Sequence, residues 1–243
     1  MRLQAREIVR FELSLFTAQD ADTLAGQLGA RGARGGPVAL SRQDFFIGIN
    51  DPLGQNPTGA PFDPNAFTIF DAWGTLSSPP DAKTTSARQA IARGQALFNT
   101  HPIAITGVKG LNDDLNSATI AGTCTTCHSS PNVGNHSVKA PLDLGLTDAA
   151  RRTPDLPLYT LGNTSSGQTV QTTDPGRALV TGKWKDVGRF KGPVLRGLAA
   201  CAPYFHNGFA ATLEEVVAFY DGRFGMGLSP QEKADLVAFL KAL

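Results

Sequence analysis

A mainly α-helical domain with long loops and one small β-hairpin, folded around a covalently held group, is the fold class that this sequence predicts. Three observations carry it: the pentapeptide Cys124-Thr125-Thr126-Cys127-His128, two capped and apolar-striped helices at the C-terminus, and 26 glycines with 16 prolines in 243 residues. So many turn-formers demand numerous loops, and such a chain needs apolar mass from something besides its own side chains.

Two cysteines separated by two residues and followed at once by histidine form the attachment signature of c-type haem. Each thiol makes a thioether to a vinyl group, and the imidazole becomes an axial ligand to iron. One helical turn sets both sulfurs along a porphyrin edge and brings the adjacent ring nitrogen to the metal. Zinc would need a second ligand pair, and the other cysteine and histidines, Cys201, His101, His136 and His206, do not form one. A thioredoxin-like pair would want a βαβ context, whereas here a Gly-rich loop runs into Ser129-Ser130-Pro131-Asn132. The expectation is therefore a cytochrome c-like helical domain enclosing one covalent haem c.

Charge excludes more than it suggests. The 22 Lys and Arg against 21 Asp and Glu leave no basic field for nucleic acid. No run of about twenty apolar residues exists, so no membrane span is expected. The segment Met1 to Glu7 lacks the apolar core and cleavage site of a secretory signal. Because c-haem attachment in bacteria takes place outside the cytoplasmic membrane, a periplasmic location is still expected. Either a signal has been removed or the chain begins part-way through a longer protein.

In order along the chain, Ile8, Phe11 and Leu15 share one helical face, with Val9 and Phe16 flanking, and predict a helix over 4–16, although Val9, Phe11, Leu13 and Leu15 also alternate with polar residues in a pattern that fits a strand. A second short helix is expected from Asp22 to Leu28, ended by Gly29 and the glycines beyond it. From 37 to 85, Pro52, Gly54, Pro57, Gly59, Pro61, Pro64, Pro79 and Pro80 predict a turn-rich connector. Phe45, Phe46, Ile47, Phe62, Phe67, Ile69, Phe70 and Trp73 should press it against the domains it joins, since exposing each costs roughly 1.5–3 kcal/mol. Trp73 reads as packing rather than as an electron relay.

Ser86-Ala87-Arg88-Gln89 reads as a capping box opening a helix with Ile91, Leu97 and Phe98. A loop then leads to the Cys-x-x-Cys-His motif. Stretches 156–161 and 169–172 flank a Gly-Asn-Ser-rich turn and predict the β-hairpin. Next, Lys183, Lys185, Arg189, Lys191 and Arg196 stand among glycines. Of these, Arg189 and Arg196 suit haem propionates, because guanidinium pairs well with carboxylate, while the lysines read as solvated surface. Thr212-Leu213-Glu214-Glu215 caps a helix through Tyr220, and Ser229-Pro230-Gln231-Glu232 caps a last one with Leu236, Phe239, Leu240 and Leu243 as its buried stripe. These boundaries divide the chain into 1–85, a tail and connector, and 86–243, the haem domain.

Five stretches give a resemblance: Ala92 to Asn99, the haem motif, Gly188 to Leu198, Ala202 to Gly208 and Thr212 to Tyr220. Together they resemble the second haem domain of the di-haem cytochrome c peroxidase family, which includes the enzyme that matures methylamine dehydrogenase. Ile8-Val9-Arg10-Phe11-Glu12 is similar to the last helix of that family's first domain, whose own haem motif is missing here. The resemblance implies the carboxyl part of a two-haem protein, with a second haem domain and an electron-donor or acceptor redox protein as partners. It implies the electron-transfer half, since in the family's peroxidases peroxide is cleaved at the haem of the first domain. The alternatives are a haem peroxidase or oxidase acting on hydrogen peroxide and, more distantly, a gas or redox sensor.

Three residues compete for the iron face opposite His128, and an empty face is the fourth alternative. Met226 lies in a Gly-flanked loop before the final helix, and Tyr220 falls where the family's peroxidases carry a ligand methionine and the maturation enzyme a tyrosine. His206 belongs to the Pro-Tyr-Phe-His-Asn-Gly match and in the family sits near the haem rather than on iron. A thioether raises the reduction potential, whereas a phenolate stabilises ferric iron. Cys201 matches a family threonine that, with the residue at Pro203, offers carbonyls to an interdomain calcium; a free thiol packed in the core is the simpler expectation. His101 and His136 read as surface or loop residues, with His136 the nearer to the haem edge.

Overall fold

The structure, a computed structural model, describes residues 2–14, 17–77 and 82–243. Leu15, Phe16, Pro79 and Pro80 lie outside the described residues. The chain runs through α1 (Arg2–Ser14), β1 (Ala21–Asp22), β2 (Gly26–Gln27), the one-turn α2 (Pro37–Leu40) and a long irregular stretch to α3 (Ala82–Thr100). After it come β3 (Ile103–Thr106), β4 (Thr119–Gly122), β5 (Tyr159–Gly162), β6 (Thr169–Thr172), the short α4 (Ala178–Thr181), α5 (Leu213–Phe224) and α6 (Pro230–Lys241). Among the described residues three two-stranded antiparallel ribbons accompany the helices, so the fold is mixed rather than helical with one hairpin. Among the described residues no helix is long and apolar enough to cross a membrane.

The C-terminal helices begin as their sequences dictate. The Thr212 hydroxyl accepts the Glu215 N–H, while Ser229 and Glu232 satisfy one another's backbone N–H groups with Pro230 in the first turn. α5 continues past Tyr220 to Phe224 and stops where Gly225 turns left-handed. β5 and β6 pair in the expected hairpin.

Three local expectations fail for identifiable reasons. Asp22 to Leu28 is a ribbon turn, not a helix, because the Asp22 carboxylate accepts the N–H groups of Leu24 and Ala25 and Gly26 follows with φ 72°. α3 begins before Ser86, which therefore lies inside the helix and caps nothing. The loop expected before the motif holds β3 and β4: Ile103 and Ile105 alternate inward onto Val108, Leu111 and Leu142. The Asn112 side chain braces that hairpin, accepting the Val108 N–H and donating to the Ile105 and Ser117 carbonyls.

The connector supplies the middle of the core. Phe67 meets Phe98 and Phe239 edge-on at 5.2 and 5.3 Å, and Phe70 stacks on Trp73 at 4.9 Å. The Trp73 indole N–H donates to the Ala30 carbonyl, which marks it as packing. Polar side chains of α3 fix this stretch: Asn99 brackets the Phe67 backbone through both amide atoms, and Gln95 accepts from the Phe70 N–H and donates to Asp71. Phe45 and Ile47, expected to be covered, are exposed, because the chain there turns outward before Gly48 bonds back to Ser137. On α1, Ile8, Val9 and Phe11 are also exposed.

Candidate haem-binding site

A cavity of about 490 Å³ opens between the motif, β3, the 190–206 loop and the two C-terminal helices. Its walls are mainly aliphatic and aromatic, among them Phe98, Ile105, Leu142, Phe190, Val217 and Leu240. Its volume falls in the range of about 300–1,000 Å³ usual for ligand and cofactor sites.

The motif forms a 3-10 turn, Cys124–Thr126, started by reciprocal bonds between Thr123 and Thr126. The N–H groups of Cys127 and His128 both return to the Cys124 carbonyl, at 3.2 and 3.1 Å. One turn of backbone thus presents both sulfurs and the imidazole to the cavity, which all three residues line. Neither thiol is in a disulfide. Burial pushes each up to about 12, so as free side chains both stay protonated.

His128 is oriented from behind. Its Nδ1 lies 2.5 Å from the Gly134 carbonyl, which can only accept, so Nδ1 carries the proton and Nε2 keeps a free lone pair. Burial lowers the ring to about 4, which leaves it neutral at physiological pH, the form a metal ligand requires. Gly134 has φ 70°, and a Cβ there would stand 2.7 Å from Phe67 and 2.9 Å from Leu195. Only glycine lets the backbone pass between those side chains with its carbonyl facing His128.

Tyr220 and Met226 line the same cavity. Burial pushes the Tyr220 phenol upward from its ordinary value, and the phenol has no hydrogen-bond partner among the described residues. Met226 packs between the two apolar clusters, and its carbonyl is 3.2 Å from His101 Nε2, so His101 serves as a tie to that loop. His206 also lines the cavity; it stacks on Phe190 at 3.8 Å, and burial lowers its pKa.

The two arginines differ. Arg189 sits between Asp113 and Asp114, at 2.5 and 3.4 Å, and is not part of the cavity wall. Arg196 is buried with Nη2 unsatisfied and no carboxylate partner among the described residues, and burial pulls it down to about 9. Its neighbours Leu195 and Leu198 line the cavity. Lys183, Lys185 and Lys191 are exposed. Cys201 is exposed on the cavity rather than packed in the core, because it ends the surface turn Leu198–Ala200. His136 is buried rather than at a surface.

Gly134 and the β3 isoleucines went unrecognised in the sequence. The signal for the first was present in a glycine following the turn-forming Pro131 and Asn132. An apolar cavity, two thiols and a neutral imidazole fixed at one edge, and an unpartnered phenol on its wall together fit a c-type haem.

No family model matches the chain. It is 37% identical over 140 residues to the cytochrome-c peroxidase IdrP1 of Pseudomonas sp. (strain SCT), covering 49% of this chain and 36% of that protein. It is 31% identical over 121 residues to the cytochrome c551 peroxidase of Pseudomonas aeruginosa, covering 49% and 30%. A solved MauG-like protein associated with microbial copper homeostasis aligns with a TM-score of 0.38 and 26% identity, over 71% of this chain and 56% of that one. The chain thus spans about a third of the length of these two curated relatives. Over about half of its own length it resembles the di-haem cytochrome c peroxidase family.

Proposed function

We propose that residues 86–243 form a cytochrome c-type domain that binds one haem c through Cys124 and Cys127, takes His128 Nε2 as axial ligand, and passes electrons to or from a partner redox protein. The observation that carries this reading is the bond from His128 Nδ1 to the Gly134 carbonyl, which fixes the tautomer and aims the free nitrogen into an apolar cavity beside two thiols. When bound, the haem supplies a one-electron iron couple whose potential is set by its ligands and surroundings.

The chain's own residues do the rest. Phe98, Ile105 and Leu142 exclude water from the thiol-bearing edge. Arg196, a buried cation without a carboxylate, is assigned to a propionate; Arg189 already holds two aspartates. Of the two candidates for the far face, Tyr220 is favoured over Met226, because its phenol stands on the cavity wall and makes no hydrogen bond among the described residues. The partner set is a donor or acceptor redox protein and a second haem domain in the periplasm, since the matched relatives are about three times as long as the matched region.

The names of the relatives favour a second reading, in which this haem reduces hydrogen peroxide itself. One experiment addresses both. The protein is made in a host competent for cytochrome maturation and assayed by pyridine haemochrome and intact mass. One haem per chain on the two sulfurs is expected, and a colourless product ends the proposal. Rapid carbon monoxide binding by the ferrous form, with peroxide-dependent oxidation of an electron donor, would replace electron transfer by the peroxidase reading.

A further inference from the structure

Outside the cavity lining, one acidic and one basic side chain are almost wholly enclosed: Asp51 is 1% exposed and His136 3%. Three of their polar atoms, Asp51 Oδ1 and both ring nitrogens of His136, have no protein hydrogen-bond partner. The other Asp51 oxygen accepts the Gln55 N–H at 2.8 Å. The Asp51 N–H donates to the Gly48 carbonyl and the Gly48 N–H to the Ser137 carbonyl, which ties the turn carrying Asp51 to the residue next to His136, and no hydrogen bond joins the two side chains. The Asp51 carboxylate also opposes the burial that lowers the His136 pKa.

Leaving one buried polar atom unpaired costs about 1–3 kcal/mol. A carboxylate oxygen that accepts and an imidazole N–H that donates are together what one enclosed water requires. A metal ion fits less well: it needs four or more ligands, and among the described residues no group of three His, Cys, Asp or Glu comes together.

The place of this pair in the fold gives it a consequence. His136 lies on the loop whose Gly134 carbonyl orients His128. Asp51 lies on the stretch to which that loop is sewn: the Gly48 N–H donates to the Ser137 carbonyl, Asn50 Nδ2 to the Ser129 carbonyl, and the Asn132 N–H to the Ala66 carbonyl. Gly192 passes close to the His136 backbone, where a Cβ would lie 3.2 Å from the His136 backbone nitrogen and 3.8 Å from the Cys127 carbonyl oxygen.

We propose that a buried water bridges Asp51 Oδ1 and a ring nitrogen of His136, and that this bridge positions the loop presenting the Gly134 carbonyl to His128. Asp51 and His136 are then positioning residues for the axial imidazole. The second half rests on the haem reading above, whereas the first does not.

A crystal structure of the protein, with or without haem, is expected to show a water within hydrogen-bond distance of both side chains; a direct Asp51–His136 bond, or a dry gap, overturns the bridge. In haem-loaded protein, Asp51→Ala and His136→Ala should each shift the reduction potential, and the double variant should shift it no further than either single one. Asp51→Asn, which retains an oxygen acceptor, should restore the original potential. Additive shifts, or no shift in either alanine variant, overturn the positioning role. Haem content measured on every variant separates the outcomes: a wild-type protein without haem removes that role along with the haem reading, while the water is decided by the crystal structure.

Discussion

A Cβ placed on Gly94 would lie 2.0 Å from the carbonyl oxygen of Asp235 and 2.7 Å from the Cβ of Phe239, so α3 and α6 touch backbone to backbone at this glycine. Helix propensity alone predicts that Gly94→Ala stabilises the protein by about 1 kcal/mol. The contact predicts the reverse, because a carbonyl cannot rotate away as a side chain can, and overpacking typically costs about 1–3 kcal/mol. Thermal unfolding of the haem-loaded variant should show a melting temperature several degrees lower; a higher one would mean that the helices part without cost.

Beside that crossing, Arg93 grips the buried Asp235 carboxylate with two bonds, Nε at 2.7 Å and Nη2 at 2.8 Å. The arginine side chain is 51% exposed, so solvent screens the pair and its worth is well below that of a fully enclosed one. Arg93→Ala should cost about 1 kcal/mol, since Gln231 still donates to Asp235 at 3.0 Å. Arg93→Lys should recover only part of the loss, because an ammonium cannot supply the fork. Denaturant unfolding of the two variants checks both statements.

These contacts show what the sequence made legible. The capped helices α5 and α6 were readable, because Thr212, Ser229, Pro230 and Glu232 act within one turn of themselves. The motif was readable for the same reason. What escaped depends on distance: Asn99 and Gln95 bonding a stretch far upstream, and Asp113 and Asp114 claiming Arg189. Asp22 shows the opposite error, a local side-chain bond strong enough to defeat a helical pattern.

Acid stability should depend on Asp221. Lys233, at 2.6 Å, together with the Leu228 N–H holds its carboxyl below the ordinary value of 3.8. A depressed folded value means stability that is complete above that ordinary value and is lost as pH falls through the lower, folded one. Asp221→Asn should therefore be less stable than wild type at pH 7 and equal to it near pH 2. Denaturant unfolding at the two pH values checks this, and an equal deficit at both would assign the loss to packing.

In the proposed haem site, the residue that would face His128 across the iron can be decided by two variants. If Tyr220 is the ligand, Tyr220→Phe should open that position, speeding carbon monoxide binding and raising the reduction potential as phenolate is lost, while Met226→Leu changes little. If Met226 is the ligand, wild type should show the weak near-infrared sulfur-to-iron band, and Met226→Leu should abolish it and lower the potential. Identical spectra in both variants would leave neither residue on the iron.

Haem removal should do more than empty a pocket. It would leave a cavity of about 490 Å³, walled mainly by apolar side chains, without the atoms that pack against them. α6 meets the cavity through Leu236 and Leu240, α5 through Val217 and Tyr220, and α3 through Phe98, so all three would lose packing together. The Cys124→Ala, Cys127→Ala double variant, made without haem attachment, should keep much of its far-ultraviolet helical signal, lose near-ultraviolet structure and bind a hydrophobic dye. Cooperative unfolding of that variant at the wild-type temperature would show instead that the polypeptide closes on itself without the cofactor.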